Sequence, residues 1–131
     1  MRLRTTIMSS LVSLLACACV ADAGGQPPAA PGAAGLGLDE VVLAARADAA
    51  RRTGWAAESL ALISADSVTW SDGSLGCPQP GLAYTQALVP GYRVRLRGPA
   101  GELDYHASAR GALVLCPPGR AVDPLPGASR I

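Results

Sequence analysis

The segment YRVRLRGPAGELDYH, residues 92–106, decides the fold, because its two halves match as the arms of a β-hairpin. Charged and apolar residues alternate on both sides of a Gly-Pro-Ala-Gly turn, and this alternation is the period of half-buried strands. One register pairs opposite charges on one face and apolar residues on the other, so the two signals agree. Its pairs are Arg97 with Glu102, Arg95 with Asp104, Leu96 with Leu103 and Val94 with Tyr105.

A third strand is predicted at residues 112–116, after a turn that contains glycine. Continuing the hairpin register places Val114 and Cys116 on the core face beside Tyr105. It places His106 on the opposite face, as an exposed strand residue.

Residues 39–53, upstream of the hairpin, have the pattern of one amphipathic helix. Asp39 is the expected N-cap, and Gly54 is expected to end the helix in the left-handed conformation. A β-prone segment follows at residues 58–70, with a bend or bulge expected at residues 65–66. The predicted fold class is therefore α+β, with one N-terminal helix packed on a small, mainly antiparallel sheet of about four strands, stapled by one disulfide.

The disulfide is expected between Cys77 and Cys116, the only cysteines of the predicted folded part. The N-terminal residues predict export, and disulfides persist outside the reducing cytoplasm. So small a core also needs a staple. The closed loop of about forty residues is worth roughly 4 kcal/mol in the chain-entropy model.

The N-terminal residues predict export. Two arginines precede an apolar run that is too short to span a bilayer, and Leu-Leu-Ala-Cys at residues 14–17 resembles a bacterial lipobox. We interpret residues 1–17 as a signal peptide, Cys17 as the lipidation site and residues 18–37 as a flexible tether. The expected location is the cell envelope, with the lipid in the outer or cytoplasmic membrane. Cleavage after Ala23 is the alternative and would give a periplasmic or secreted protein.

The folded domain is expected over residues 38–117, and residues 118–131, rich in proline and glycine, are expected to be disordered. A formal net charge of +1 gives no electrostatic basis for nucleic-acid binding. We expect a monomer with no cofactor and no bound metal, whose partners are the membrane, through the lipid, and a protein of the envelope.

The favoured function is a non-enzymatic binding or structural module that acts through a rigid loop at residues 71–90. A peptidase inhibitor is the more specific variant of this function, because a rigid loop has little ordering cost on binding. The expected contact residues are Trp70, Asp72, Gln79, Tyr84 and Gln86. For the aromatic residues Trp70, Tyr84 and Tyr92 a role as caps of the core stays open as the alternative.

Two alternatives stay open at this stage. One is a small hydrolase with Ser74 as nucleophile, His106 as base and Asp72 to orient it, although the Gly-x-Ser-x-Gly elbow is one residue short. The other is a metal-binding protein that uses Cys77, Cys116 and His106 as ligands.

The run from Val68 to Leu96, followed by Tyr105-His106 and Cys116, resembles a family of small bacterial secreted proteins and lipoproteins. Their shared pattern is Thr-Trp-x-Asp-x-Ser-Leu-Gly-Cys-Pro-x-Pro-Gly, then Tyr-x-Gln, Gly-Tyr, Tyr-His and a late cysteine. This chain departs from the pattern at Ser71, where proline is frequent. The resemblance covers about half of the chain and implies a cysteine-stapled domain without implying a reaction.

Overall fold

The structure, a computed structural model, describes residues 35–127. This part contains one helix, four strands and a single-turn 3₁₀-helix: α1 (Leu38–Thr53), the 3₁₀-helix (Ala57–Ser59), β1 (Ala61–Trp70), β2 (Val89–Gly98), β3 (Gly101–Ser108) and β4 (Leu113–Cys116). The strands form one antiparallel sheet in the order β1-β2-β3-β4, and α1 packs on it. The predicted α+β fold is confirmed. The proposed signal peptide, Cys17 and the tether up to residue 34 lie outside the described residues.

The ends of α1 follow from local hydrogen bonds. Gly37, rather than Asp39, is the N-cap, and its N–H donates to a carboxylate oxygen of Glu40 at 2.8 Å. Asp39 instead lies in the first turn, where its negative charge interacts favourably with the helix dipole. At the other end Gly54 has φ +74° and its N–H donates to the carbonyl of Ala50 at 2.9 Å, so the helix ends in the αL motif.

The main core lies between α1 and one face of the sheet, called here the helix face. Small side chains on α1, Ala45 and Ala49, allow the helix backbone to approach the strands closely, and both are fully buried. The buried members of this core are Val41, Ala45, Ala49, Leu60, Val94, Leu96, Tyr105 and Ala107. The hydroxyl of Tyr105 donates to a carboxylate oxygen of Asp48 at 2.9 Å, which satisfies the one polar atom that this side chain buries.

The predicted hairpin register is confirmed at all four pairs, because β2 and β3 align Arg97 with Glu102 and Arg95 with Asp104. The side chains, however, form their ion pairs diagonally. Arg95 binds Glu102, and Arg93 binds Asp104. Long arginine side chains reach the diagonal neighbour on a twisted sheet, so the charged row is neutralised one step away from the directly opposed partner.

The predicted position of β4 is wrong by one residue. Asp104 pairs with Cys116 and His106 with Val114, so these four side chains share one face of the sheet. The cause is the turn, because the N–H of Ser108 still donates to the carbonyl of residue 112 and extends β3 by one pair. A shift of one residue exchanges the two faces of a strand. Cys116 and His106 therefore lie together, on the face opposite α1.

The bulge of β1 also lies earlier than expected. The register shifts between Leu62 and Ser64, whereas the sequence pattern indicated residues 65–66. Ile63 is the extra residue, and it lies on the edge strand of the sheet, where bulges discourage pairing with another chain.

Both ends of the domain extend further than the sequence pattern indicated. The expected disorder does not hold for residues 118–127, because the N–H of Val122 donates to Gly76 O at 2.8 Å and that of Leu125 to Thr69 O at 3.0 Å. On the N-terminal side, the N–H of Leu36 donates to the carbonyl of residue 109 at 2.9 Å. No helix within residues 35–127 is long and apolar enough to cross a membrane.

The left-handed end of α1 gives a first prediction. Gly54→Ala should lower the free energy of unfolding by about 1 kcal/mol, because φ +74° brings a Cβ atom against the backbone. Gly54→Asn should lower it less, since asparagine tolerates this region. Urea unfolding of the oxidised protein measures both values. Equal losses of unfolding free energy for the alanine and asparagine variants would contradict the left-handed conformation of Gly54.

Candidate functional site

The face of the sheet opposite α1, called here the loop face, is covered by the chain between β1 and β2. This β1–β2 loop, residues 71–88, has two parts. Its base, residues 71–77, turns back onto the sheet and buries four consecutive residues, Ser74 to Cys77. Its arch, residues 78–88, stays at the surface.

Hydrogen bonds within the base fix its shape. The N–H of Ser74 donates to the side chain of Asp72 at 2.8 Å, which is an Asx turn, and the N–H of Cys77 donates to Ser74 O at 3.0 Å. The hydrogen bonds from Ser74 hold the pKa of Asp72 below its usual value. Leu75 and Gly76 both have positive φ, +56° and +68°, so two successive left-handed residues reverse the chain.

Trp70 lies beneath this base and is fully buried. Its indole N–H donates to Ala107 O at 3.0 Å. Gly76 packs directly on the ring, because a Cβ atom there would lie 2.5 Å from Trp70 Cζ3 and 2.5 Å from Val122 O. The prediction of Trp70 as a surface contact is therefore corrected: its apolar area is used in the core, out of reach of a partner.

The disulfide between Cys77 and Cys116 closes the base onto β4, with the two Cα atoms 5.6 Å apart. This pairing confirms the prediction. It also occupies both sulfur atoms, which removes two of the three ligands of the metal-binding alternative. Among residues 35–127 no group of three or more His, Cys, Asp or Glu side chains is arranged to hold a metal ion.

His106 connects the base of the loop to the sheet. Its ring stacks on Trp70 with centroids 4.5 Å apart, and its Nδ1 lies 2.6 Å from Leu75 O. A carbonyl oxygen can only accept, so Nδ1 carries the hydrogen of this bond. The other nitrogen, Nε2, lies 3.2 Å from Asp104 Oδ1. The expectation of an exposed histidine is wrong, because the residue is fully buried.

Asp104 joins His106 to an arginine on the neighbouring strand. Arg93 binds its carboxylate with two nitrogens, at 3.0 and 2.6 Å, and reaches Asp123 of the C-terminal segment at 2.8 Å with the third. Burial alone would raise the pKa of Asp104, but the two hydrogen bonds and the positive charge of Arg93 outweigh burial and hold this pKa far below its usual value. The cluster thus ties β2, β3 and the C-terminal segment together.

These contacts give the hydrolase alternative no support. The two ring nitrogens of His106 face Leu75 O and Asp104, and Asp72 accepts the backbone N–H of Ser74 rather than a histidine proton. A general base must reach the proton of its nucleophile and must meet substrate. His106, with no exposed surface, holds the loop in place.

Three of the predicted contact residues do come together on the arch. The hydroxyl of Tyr84 accepts the N–H of Gln79 at 3.0 Å, and the side chain of Gln86 donates to Tyr84 O at 3.2 Å. The N–H of Gly73 donates to Thr85 O at 2.9 Å and ties the arch to the base. Gln79 and Gln86 are exposed and Tyr84 is half-buried, so the arch presents an ordered surface of amides and one phenol.

Two apolar residues of the arch were missed by the sequence interpretation. Leu82 is 57% exposed and Leu88 is 65% exposed. The signal that could have found them is the absence of charge, since residues 73–92 contain no Asp, Glu, Lys or Arg. Depletion of charged residues is also a property of the centres of protein interfaces.

Comparison with known proteins adds a family. The family model for a domain of unknown function, DUF8738, matches residues 42–116, which extend from the first turns of α1 to the second cysteine of the disulfide. Neither the curated proteins nor the solved structures gave a match.

The contact between the base of the loop and Trp70 gives a second prediction. Gly76→Ala and Gly81→Ala both force alanine into positive φ, at +68° and +79°, but only position 76 lacks space for a Cβ atom. Gly81→Ala should cost about 1 kcal/mol of unfolding free energy. Gly76→Ala should cost about 1–3 kcal/mol more, because of overpacking against the indole ring. Urea unfolding measures both values. Similar losses of unfolding free energy at the two positions would contradict the close packing of Gly76 on the indole ring.

The Arg93–Asp104–His106 cluster gives a third prediction, on pH. The folded state lowers the pKa of Asp104 from its ordinary 3.8, so the unfolded chain takes up a proton first as the pH falls. The stabilisation is complete above about pH 5, and about 1 kcal/mol of it should be lost by about pH 3, with the remainder lost at still lower pH. Urea unfolding from pH 6 to pH 3 should be less pH-dependent in Asp104→Asn. Glu58→Gln, at an exposed carboxylate of the 3₁₀-helix, should keep the full dependence.

Proposed function

Since the chain belongs to the DUF8738 family, whose function is unknown, we propose its function from the geometry of the β1–β2 loop: the domain is a non-enzymatic binding module that presents the arch to a protein partner. The cell envelope is the proposed location, supported by the leader sequence and by the lipobox-like residues 14–17. Lipid on Cys17 would hold the domain at the membrane, and cleavage after Ala23 would release it.

The observation that carries this proposal is an ordered, uncharged and exposed arch on an immobilised base. The centres of protein interfaces are depleted in charge. The arch has no charged residue, and its two leucines, Leu82 and Leu88, expose more than half of their surface. Burying one such side chain against a partner is worth about 1.5–3 kcal/mol.

Preorganisation makes the arch effective. Association normally costs about 0.5–1.5 kcal/mol for each flexible side chain that becomes ordered, together with the ordering of the backbone. In this loop Pro78 and Pro80 restrict the backbone, the disulfide holds one end, and the hydroxyl of Tyr84 holds the N–H of Gln79. Most of the ordering therefore precedes binding.

Peptidase inhibition is the specific form of this function that the arch suits best. An inhibitor offers a rigid exposed segment to a cleft and keeps it rigid through a surrounding scaffold. Leu82 lies just after Pro80 and Gly81 and is the side chain that we expect in the specificity pocket. Nucleic acid does not suit the same surface, because the arch has no cation and Arg93 and Arg95 are paired with carboxylates.

Site-specific crosslinking tests the binding function. A photoreactive amino acid at position 82 of the full chain, expressed in the cells that make it, should give one discrete crosslinked product. The same amino acid at position 43, a leucine of α1 that is 68% exposed, should not give that product. The partner is then identified and purified. Its affinity should fall at least tenfold for the double variant Leu82→Ser/Leu88→Ser, which loses more than 1.4 kcal/mol of apolar burial.

The opposite results are equally clear. The same product from positions 43 and 82, or an unchanged affinity of the double variant, would show that the arch is not the contact surface. For the inhibitor form, a panel of serine, cysteine and metallopeptidases is assayed with the purified protein and with Leu82→Ser. An absence of inhibition across the panel would remove this form and leave the crosslinking result to decide on binding.

A further inference from the structure

A hollow of about 370 Å³ lies where the arch meets the sheet. One wall is formed by residues 87–90, which lead from the arch into β2. The other is formed by residues 108–110, the last residue of β3 and the first two residues of the turn that follows it. Leu88 belongs to the first wall, so the hollow is continuous with the surface that we propose for binding. Its volume is sufficient for one or two apolar side chains of a peptide.

The walls of the hollow are fixed by hydrogen bonds. The N–H of Ala109 donates to Pro90 O at 2.9 Å and joins the two walls. The hydroxyl of Ser108 accepts the N–H of Ala112 at 3.1 Å, and its carbonyl accepts the N–H of Gly111 at 3.1 Å. The turn that carries Arg110 is therefore closed on itself, and the hollow is preformed.

Arg110 is the single charged residue of this lining, and it is exposed. Within the described chain, residues 35–127, no carboxylate is in ion-pair contact with it. Arg51, Arg52, Arg93 and Arg95 have such a partner, and the others, Arg46, Arg97 and Arg120, do not line this hollow. Residues 105–119 contain no Asp or Glu that could neutralise it locally. An unpaired guanidinium at the rim of an apolar hollow is complementary to a carboxylate that follows an apolar side chain.

We infer that this hollow takes an extended acidic–apolar segment of the protein partner, with an apolar side chain between the walls and a carboxylate on Arg110. The inference rests on the proposed function, because the segment would belong to the protein that the arch binds. The exposed leucines of the arch, Leu82 and Leu88, would then supply most of the contact area, and Arg110 would fix the register of the bound segment.

A protein segment fits these observations better than a lipid surface does. Membrane-binding patches gather several basic residues, each worth about 1 kcal/mol near the membrane surface. Here one arginine stands at a concave site, and the neighbouring run of residues 73–92 has no charge. A concave apolar site can take in a side chain, whereas a flat bilayer surface would not contact its walls.

A pair of matched peptides provides the test. The probes are Ac-Ala-Leu-Asp-Ala-NH₂ and Ac-Ala-Leu-Asn-Ala-NH₂, titrated into the ¹⁵N-labelled full chain and followed through its amide chemical shifts. We expect the Asp peptide to shift the amides of Leu88, Ala109 and Arg110 and to bind about tenfold more tightly than the Asn peptide, as for one charge-assisted hydrogen bond. Arg110→Gln should abolish this preference. The control Arg97→Gln, an exposed arginine at the far end of β2, should keep it.

Three outcomes would overturn the inference: equal binding of both peptides, amide shifts confined to other parts of the domain, or an unchanged preference in Arg110→Gln. If Arg110→Gln instead reduces cosedimentation with phosphatidylglycerol vesicles while neither peptide binds, the site is lipid-directed and the inference is also wrong.

The experiment separates the failure of this inference from that of the proposed function. If the product from position 82 persists and the purified partner binds Arg110→Gln as tightly as the unchanged chain, the binding module stands and the role of the hollow is refuted. If no product forms at position 82 but the two peptides are distinguished through Arg110, the hollow is a peptide site and the arch is not the binding surface.

Discussion

The burial of Trp70 on the face opposite α1 is the contact on which the arrangement of the loop depends. The indole is bounded by His106, which stacks on it, and by Gly76, whose backbone lies against its ring. Gly91 on β2 also has to be glycine, since a Cβ atom there would lie 2.0 Å from Ala107 O and 3.0 Å from the indole nitrogen. Both faces of the sheet therefore carry a core, and the second exists because a loop, rather than a second layer of helices, covers a tryptophan.

Ordering a loop of this length costs conformational free energy, and the fold itself does not require so long a connection between β1 and β2. Fixing a backbone residue costs about 1–2 kcal/mol, and connections longer than about 12–15 residues without secondary structure are uncommon unless they serve a function. The base offsets part of the cost, through the disulfide and the contacts of Trp70, while the arch buries little of its own surface. Stability therefore accounts for the base of the loop, and the order of the arch favours binding as its role.

The sequence predicted those features that two independent signals specified. The hairpin register was readable because charge pairing on one face and apolar pairing on the other required the same alignment. The position of β4 was not readable, because it depends on one backbone hydrogen bond of Ser108 that adds a residue pair to β3. That single step reversed the faces assigned to Cys116 and His106. The sequence did not decide between core and surface for Trp70 for a related reason, since its cover comes from Gly76 and Val122, which no local pattern places over it.

The separation of base and arch bears on how the proposed binding module would vary its specificity. The base is held by backbone hydrogen bonds, by glycine at position 76 and by the disulfide, so few side chains of the arch are needed for stability. Tyr84 is the exception, because its hydroxyl holds the backbone at Gln79 while its ring is half-exposed. Leu82 and Leu88 can therefore change without disturbing the core. Such freedom is characteristic of binding loops carried on rigid scaffolds, in which the scaffold fixes the geometry and the loop side chains select the ligand.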